Sequence, residues 1–140
     1  MQVADVMSRD VEFIGGEASV REAAELMGEL DVGALPVGTA SALEGIVTDR
    51  DILYRVVAAG LDPTATTVGA VLSRPVIACS DTDTVRAAMD LMAAHHVRRL
   101  PVRDAGGAVV GWITLADLSR TLLVGSEALQ LSLQAMTEAE

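Results

Sequence analysis

The chain repeats itself, and an internal repeat constrains a fold more tightly than any local propensity. At an offset of 65 residues, Val6, Val20, Arg21, Ala23, Leu26, Met27, Val32, Leu35, Pro36 and Val37 fall on Val71, Val85, Arg86, Ala88, Leu91, Met92, Val97, Leu100, Pro101 and Val102. One insertion in a turn moves the offset to 66, and Gly45, Thr48 and Asp51 then meet Gly111, Thr114 and Asp117. Each half has about 60 residues, a length at which a domain is marginal by itself. Two halves that bury the apolar faces of their sheets together would give a pseudo-two-fold module with two related clefts. The expected boundaries are residues 1–60 for the first repeat, 61–67 for a linker holding Pro63, 68–122 for the second repeat and 123–140 for a tail without a counterpart.

Within each half the hydrophobic spacing alternates between short strands and helices. Val3 to Met7 reads as a helical turn and Val11 to Ile14 as a short strand ended by Gly15-Gly16. Ser19-Val20-Arg21-Glu22 is a capping box, and Val20, Ala23, Ala24, Met27 and Leu30 recur behind it at helical spacing. Ala34 to Val37 is a strand whose proline must lie where a ladder bond can be lost. Leu43 to Val47 is a further strand, followed by a helix from about Asp49 to Ala59 that Gly60 stops. The second half repeats this with a strand over Val76–Ala78, Thr84 as cap, a stripe of Val85, Ala88, Met89 and Met92, and strands over Val97–Val102 and Ala108–Thr114. In the tail, Leu129, Leu133 and Met136 fall on one helical face. Met7, Met27, Met89 and Met92 read either as an adaptable binding surface or, as their spacing favours, as core filler.

The repeated stretches Gly45-Ile46-Val47-Thr48-Asp49-Arg50-Asp51-Ile52 and Gly111-Trp112-Ile113-Thr114-Leu115-Ala116-Asp117-Leu118 are where chemistry concentrates. Each places a hydroxyl and a carboxylate three residues apart where a strand turns into a helix. That spacing has two readings. One is a capping box, with the threonine oxygen on one amide and the aspartate reaching back to the other, which stabilises a helix by about 1 kcal/mol. The other is a ligand site, because a helix N-terminus favours anions and a carboxylate beside it can accept both hydroxyls of a ribose. The repetition in one context moves the weight toward the second.

Charge narrows the partners. The ten basic residues are all Arg, against twenty acids, for a formal net charge of −10. Such a surface does not suit nucleic acid, whose phosphates demand a basic face. Residues 1–64 carry four Arg and twelve acids, and residues 65–140 six Arg and eight acids, so an anion is better placed in the second half. The single cysteine, Cys79, excludes an intrachain disulfide and a cysteine-based zinc site, and reads as a small buried residue. Neither a secretory leader nor an apolar run of membrane-spanning length is present, so a cytoplasmic protein is expected. With three aromatic residues, Phe13, Tyr54 and Trp112, the core must be aliphatic.

His95-His96-Val97-Arg98-Arg99 is the richest polar cluster. Adjacent histidines do not have the i, i+4 spacing of helical metal ligands, and they read as a solvated helix end. Arg98 and Arg99 read either as solubilising charges or as phosphate contacts. A nucleophilic enzyme would need Ser, Thr or Cys79 beside one of the histidines, and no elbow or glycine-rich phosphate loop supports that. No catalytic residue, metal or required cofactor is expected.

Taken in order, V-A-D-V-M and V-G-A-V-L, A-L-P-V and R-L-P-V, and G-I-V-T-D-R-D-I and G-W-I-T-L-A-D-L resemble a tandem pair of CBS domains, a Bateman module, over residues 1–122. The resemblance is to stand-alone CBS pairs of the mycobacterial hypoxic response type. It implies an α/β (α+β) fold with β-α-β-β-α in each repeat, homodimerisation, and adenine nucleotides (AMP, ADP, ATP or related adenosyl compounds) as ligands. It implies ribose contacts at Thr48, Asp51, Thr114 and Asp117, phosphate contacts at Arg98 and Arg99, and further ligand contacts at Ala34, Leu35, Pro36, Asp49, Arg50 and Pro101. Gly33 and Ala34 stand where the second repeat has Arg98 and Arg99, so the two sites are expected to differ. The alternative is a ligand-free scaffold that regulates an unidentified partner protein through its surface.

Overall fold

The computed structural model describes residues 1–74, 76–123 and 127–138. They form two compact units: one of Asp10–Ile77 with Gly106–Val109, here the first unit, and one of Met1–Arg9, Ala78–Ala105 and Val110–Glu140, the second. These units do not coincide with the repeats. The residues that open the first repeat belong to the second unit, and those that open the second repeat belong to the first.

In the first unit, helix α1 spans Val20–Leu30. Ser19 Oγ accepts the Glu22 amide at 3.1 Å and Glu22 accepts the Ser19 amide at 3.3 Å, so the expected capping box is formed. Val20, Ala23 and Met27 turn inward, and Asp31 ends the helix in the left-handed region at φ 55°. Strand β1 (Ala34–Gly38) pairs antiparallel with β2 (Leu43–Thr48), with Leu35 opposite Val47 and Pro36 opposite Ile46. Behind β2, α2 (Asp49–Ile52) runs on as a π-helical segment over Leu53–Val57, a local widening the hydrophobic pattern did not indicate. Gly60 follows at φ +73°. In the linker, Asp62 accepts the Thr64 hydroxyl at 2.7 Å and the Thr64 amide at 2.9 Å. These two bonds, the hydroxyl first, hold its carboxyl below the usual range. The short α3 (Val68–Val71) completes an aliphatic core that includes Ile14, Leu35, Val37, Val47, Val56 and Leu72.

In the second unit, after the 3-10 turn Val3–Asp5, strand β3 (Cys79–Ser80) precedes α4 (Val85–His95), which Thr84 caps by accepting the Ala87 amide at 3.0 Å. His96 ends α4 at φ 54°, the counterpart of Asp31. Strands β4 (Arg99–Arg103) and β5 (Val109–Thr114) follow, in the sheet order β3-β4-β5. Helix α5 spans Leu115–Leu122 and α6 spans Glu127–Glu138. Met92 is buried beside Val85 and Ala88 as expected, whereas Met89 is only half-buried. Of the expected tail stripe, the side chains of Leu129 and Leu133 lie outside the described residues, and Met136 is exposed. No described helix is long and apolar enough to cross a membrane.

The strands expected over Val11–Ile14 and Val76–Ala78 are shorter or displaced, and the prolines explain why. Ile14 donates to Pro36 O at 3.0 Å and accepts Gly38 N at 2.8 Å, a single parallel bridge. The next rung of that ladder needs the residue 36 amide to reach residue 12, and proline has no donor. The second copy behaves alike. Cys79 lies parallel to Val102, the next rung back would call on the residue 101 amide, and Pro101 cannot supply it. Pairing therefore begins at Cys79 and not at Val76.

Candidate functional site

Each unit carries one strand-to-helix junction, and the same local bonds build both. Thr48 Oγ1 accepts the Asp51 amide at 3.1 Å while Asp51 Oδ2 accepts the Thr48 amide at 2.9 Å. Thr114 and Asp117 exchange the equivalent bonds at 3.2 Å each. The Asp49 amide donates to Gly33 O at 2.9 Å, and the Leu115 amide to Arg98 O at 2.7 Å, which ties each helix start to the residue that leads into β1 or β4. The capping reading is thus realised in both copies. It leaves the remaining oxygen valences of each aspartate for other partners, and there the two junctions part.

A glycine makes room beside each junction. The segment Leu72-Ser73 is laid along β2, with Ser73 N on Ile46 O at 2.8 Å and Ile46 N on Ser73 O at 3.3 Å. A Cβ on Gly45 would stand 2.6 Å from Leu72 Cδ1 and 2.8 Å from Ser73 O. In the second unit Ser8 and Trp112 exchange two bonds of 2.8 Å, and a Cβ on Gly111 would run into Met7 Sδ and lie 3.0 Å from Ser8 O. Ser8-Arg9 and Ser73-Arg74 are themselves repeat-related at the offset of 65, a signal that identifies these segments as parts of the two sites.

At the first junction Asp51 is 8% exposed, the one charged residue buried among those described. Its carboxylate accepts the Ser73 hydroxyl, at 3.0 Å to Oδ1 and 3.1 Å to Oδ2. Arg55 Nε lies 3.8 Å from Oδ1, and Arg55 Nη1 also donates to Val71 O at 3.1 Å and Leu72 O at 3.2 Å. Ser73 does not stand out in the sequence, because its partner is set by tertiary packing, whereas Arg55 stands four residues after Asp51 on the same helical run, a local spacing that could have signalled the pair. Arg50 turns away to the Tyr54 ring, 5.5 Å from its centroid, and the Asp49 carboxylate accepts the Arg50 amide at 2.8 Å.

At the second junction the Asp117 side chain is 28% exposed and meets Arg120 Nη2 at 2.9 Å. Arg98 is exposed and Arg99 half-buried, and neither guanidinium has a partner among the described residues. Ala34, Leu35, Pro36 and Pro101 are buried, and Pro36 O already accepts the Ile14 amide at 3.0 Å. His95 closes the last turn of α4 and His96 is its exposed cap, and among the described residues no three His, Cys, Asp or Glu side chains gather as a metal site. A groove of about 570 Å³ lies elsewhere in the second unit, lined by Met1, Thr84, Val85, Arg86, Met89, Asp90 and Leu122.

Cys79 is 5% exposed. Burial pushes its thiol up to about 11, and the nearby Asp83 charge adds to the effect. At pH 8 its alkylation is expected to run at least ~100-fold slower than that of an ordinary thiol, because the thiolate is the nucleophile. The raised value means that the folded state holds its proton longer than the unfolded chain. The stabilising contribution is full below the ordinary thiol value of 9.0 and fades as pH rises through about 11. Alkylation kinetics with and without denaturant check this, and equal rates would refute it.

This pair of repeats, each closing on a threonine and an aspartate at a helix start, is a tandem two-repeat module of mixed helix and sheet. The CBS domain model matches residues 3–58 and again 68–124, and the chain belongs to the CBS-domain family. It is 36% identical over 119 residues to Hypoxic response protein 1 of Mycobacterium tuberculosis, covering 84% of this chain and 82% of that protein. It is 38% identical over 117 residues to the CBS domain-containing protein YhcV of Bacillus subtilis, with 84% and 82% covered. A crystal structure of Hypoxic Response Protein I with two coordinated zinc ions matches at a TM-score of 0.77 and 35% identity, over 86% of this chain and 98% of that one. The CBS pair of MJ0100 in complex with 5'-methylthioadenosine and S-adenosylmethionine matches at 0.77 and 26%, over 87% and 95%. CBSX2 in complex with AMP matches at 0.73 and 27%, over 87% and 96%.

Proposed function

We propose that the protein is a small regulatory module that binds an adenosine-containing ligand, AMP, ADP, ATP or a related adenosyl compound, through its strand-to-helix junctions, and that it passes the binding state to a partner protein. The observation that carries this reading is the Asp117 carboxylate. It sits partly exposed at a helix start, and apart from the Thr114 amide its one side-chain partner is Arg120, itself 53% exposed. A surface pair of that kind is worth little and is easily displaced, so a ribose can take the oxygens. Arg98 and Arg99 offer unpaired positive charge within the same unit, against an overall net charge of −10 that would otherwise repel an anion. The complexes of MJ0100 and CBSX2 support an adenosine moiety as the recognised part.

The test is thermal unfolding with AMP, ADP, ATP, S-adenosylmethionine and adenosine. A specific ligand at 100 times its Kd adds about 2.7 kcal/mol of stability. Asp117→Ala is expected to weaken binding at least ~10-fold, as the loss of a charged hydrogen-bond partner costs about 1.5–3 kcal/mol. ATP should bind more tightly than adenosine. Unchanged melting with every compound would overturn the reading.

One observation favours the scaffold reading beside it. Leu53, Tyr54 and Val57 are 52%, 59% and 64% exposed on the helical run that follows Thr48, and Leu61 just beyond it is 48% exposed, apolar side chains that a protein surface would cover. A second copy of the chain, giving a homodimer, is the commonest way to cover such side chains, and light scattering on the eluting protein decides it: a monomer at micromolar concentration refutes the dimer.

A further inference from the structure

The two junctions share their capping bonds, but they differ in what else each aspartate holds. A carboxylate offers about four acceptor sites. At Asp51 the Thr48 amide takes one, and the Ser73 hydroxyl bridges both oxygens at 3.0 and 3.1 Å. On the remaining side Arg55 Nε forms an ion pair at 3.8 Å while its guanidinium is anchored to the Val71 and Leu72 carbonyls. The side chain that results is 9% exposed. A ribose diol presents two hydroxyls to such an acceptor, and here one protein hydroxyl already stands in that role. The Ser73 main chain is bonded in both directions to Ile46, which keeps the residue beside the carboxylate.

At Asp117 no protein hydroxyl stands in that role: besides the Thr114 amide the carboxylate meets only the exposed Arg120, at 2.9 Å, and the side chain is 28% exposed. Ser8, the repeat counterpart of Ser73, is exposed and its hydroxyl makes no bond to Asp117. The residue matching Arg55 at the offset of 66 is Thr121, whose hydroxyl donates to the Asp117 main-chain oxygen at 3.0 Å and leaves the carboxylate alone. Charge works in the same direction: the first unit holds four Arg and eleven acids, the second six Arg and nine acids.

We infer that Ser73 and Arg55 are specificity-determining residues that hold the first junction shut, so that each chain takes up its adenosine ligand at Asp117 and not at Asp51. The inference rests on the adenosine-binding reading and adds to it which site is used and what closes the other. Ser73 is an internal occupant of the ribose position, and the two repeats have divided one structural motif between a fastening and a receptor.

Calorimetric titration with AMP, ATP and S-adenosylmethionine in turn, on the full chain, decides it by stoichiometry. The wild type is expected to bind one ligand per chain, Asp117→Ala none, and Ser73→Ala two. The double variant Ser73→Ala/Asp117→Ala should keep one. Arg55→Gln, which loosens the same carboxylate from the other side, is the second variant and should also raise the stoichiometry toward two. Two sites in the wild type, an undiminished site in Asp117→Ala, or a single site in both Ser73→Ala and Arg55→Gln overturns the inference and leaves the adenosine reading standing. Absence of binding by any probe to any variant overturns that reading and the inference with it.

Discussion

Asp51→Ala is expected to lower the stability of the protein by about 3 kcal/mol, and Asp117→Ala by only about 1 kcal/mol. The two substitutions remove the same residue from the same capping motif, and each loses a helix cap worth about 1 kcal/mol. The difference lies in what is left behind. Without Asp51, the Ser73 hydroxyl loses a buried anionic acceptor at a site that is 8% exposed, while Arg55, 54% exposed, keeps its bonds to the Val71 and Leu72 carbonyls. Hydrogen bonds to charged groups contribute about 1.5–3 kcal/mol, and stranded donors lose that in full. Without Asp117, an Arg120 that is 53% exposed returns to water at little cost. Denaturant midpoints with unchanged slopes measure both. Equal losses would mean that burial of Asp51 does not matter energetically, and would remove the physical basis for treating the junctions differently.

Gly45→Val should be about as damaging, by a steric route. A Cβ on Gly45 meets Leu72 Cδ1 at 2.6 Å and the Ser73 carbonyl oxygen at 2.8 Å. The leucine tip can shift, but the carbonyl belongs to a backbone bonded on both sides to Ile46. Forcing extra carbon into packed surroundings costs about 1–3 kcal/mol, and here the segment beside β2 must also lift. The Ser73 amide, which donates to Ile46 O at 2.8 Å, should then exchange its hydrogen much faster than in the wild type. Gly28→Ala is the control with the opposite sign. Nothing lies within 4 Å of a Cβ there, it sits inside α1, and alanine should stabilise that helix by up to about 1 kcal/mol. A Gly45→Val protein that melts with the wild type would refute the close approach.

The repeat, the helices and the caps were legible because they rest on local spacing. The Ser19–Glu22 box, the Thr48–Asp51 and Thr114–Asp117 pairs and the stop at Gly60 are each decided by residues within one or two turns of each other. The strands were less legible, because a strand exists only where a distant partner supplies donors, and Pro36 and Pro101 withhold theirs. The π-helical stretch at Leu53–Val57 left no mark on the hydrophobic pattern. Of the candidate site, the threonines and aspartates were readable from repetition, and Arg55 could have been read from its place four residues after Asp51, while Ser73 could not: it lies 22 residues beyond Asp51, and its role is fixed by the packing of its segment against Ile46. The matching pairs Ser8-Arg9 and Ser73-Arg74 were the sequence signal that could have pointed there.

The exchange of opening segments between units has a consequence for how the chain comes to be folded. During synthesis, Asp10–Ile77 can gather almost all of its own partners as soon as it emerges, lacking only Gly106–Val109. The first nine residues cannot. Val3 N awaits Asp83 O, and Ser8 awaits Trp112, so residues made before the first unit find their places only after it. Closing so long a loop is slow, since contacts of high sequence separation must be reached before they are rewarded. The same arrangement makes the linker a poor place to divide the gene: a cut between residues 61 and 67 would take from each half the segment that covers the edge of its sheet, and neither repeat would inherit a finished domain.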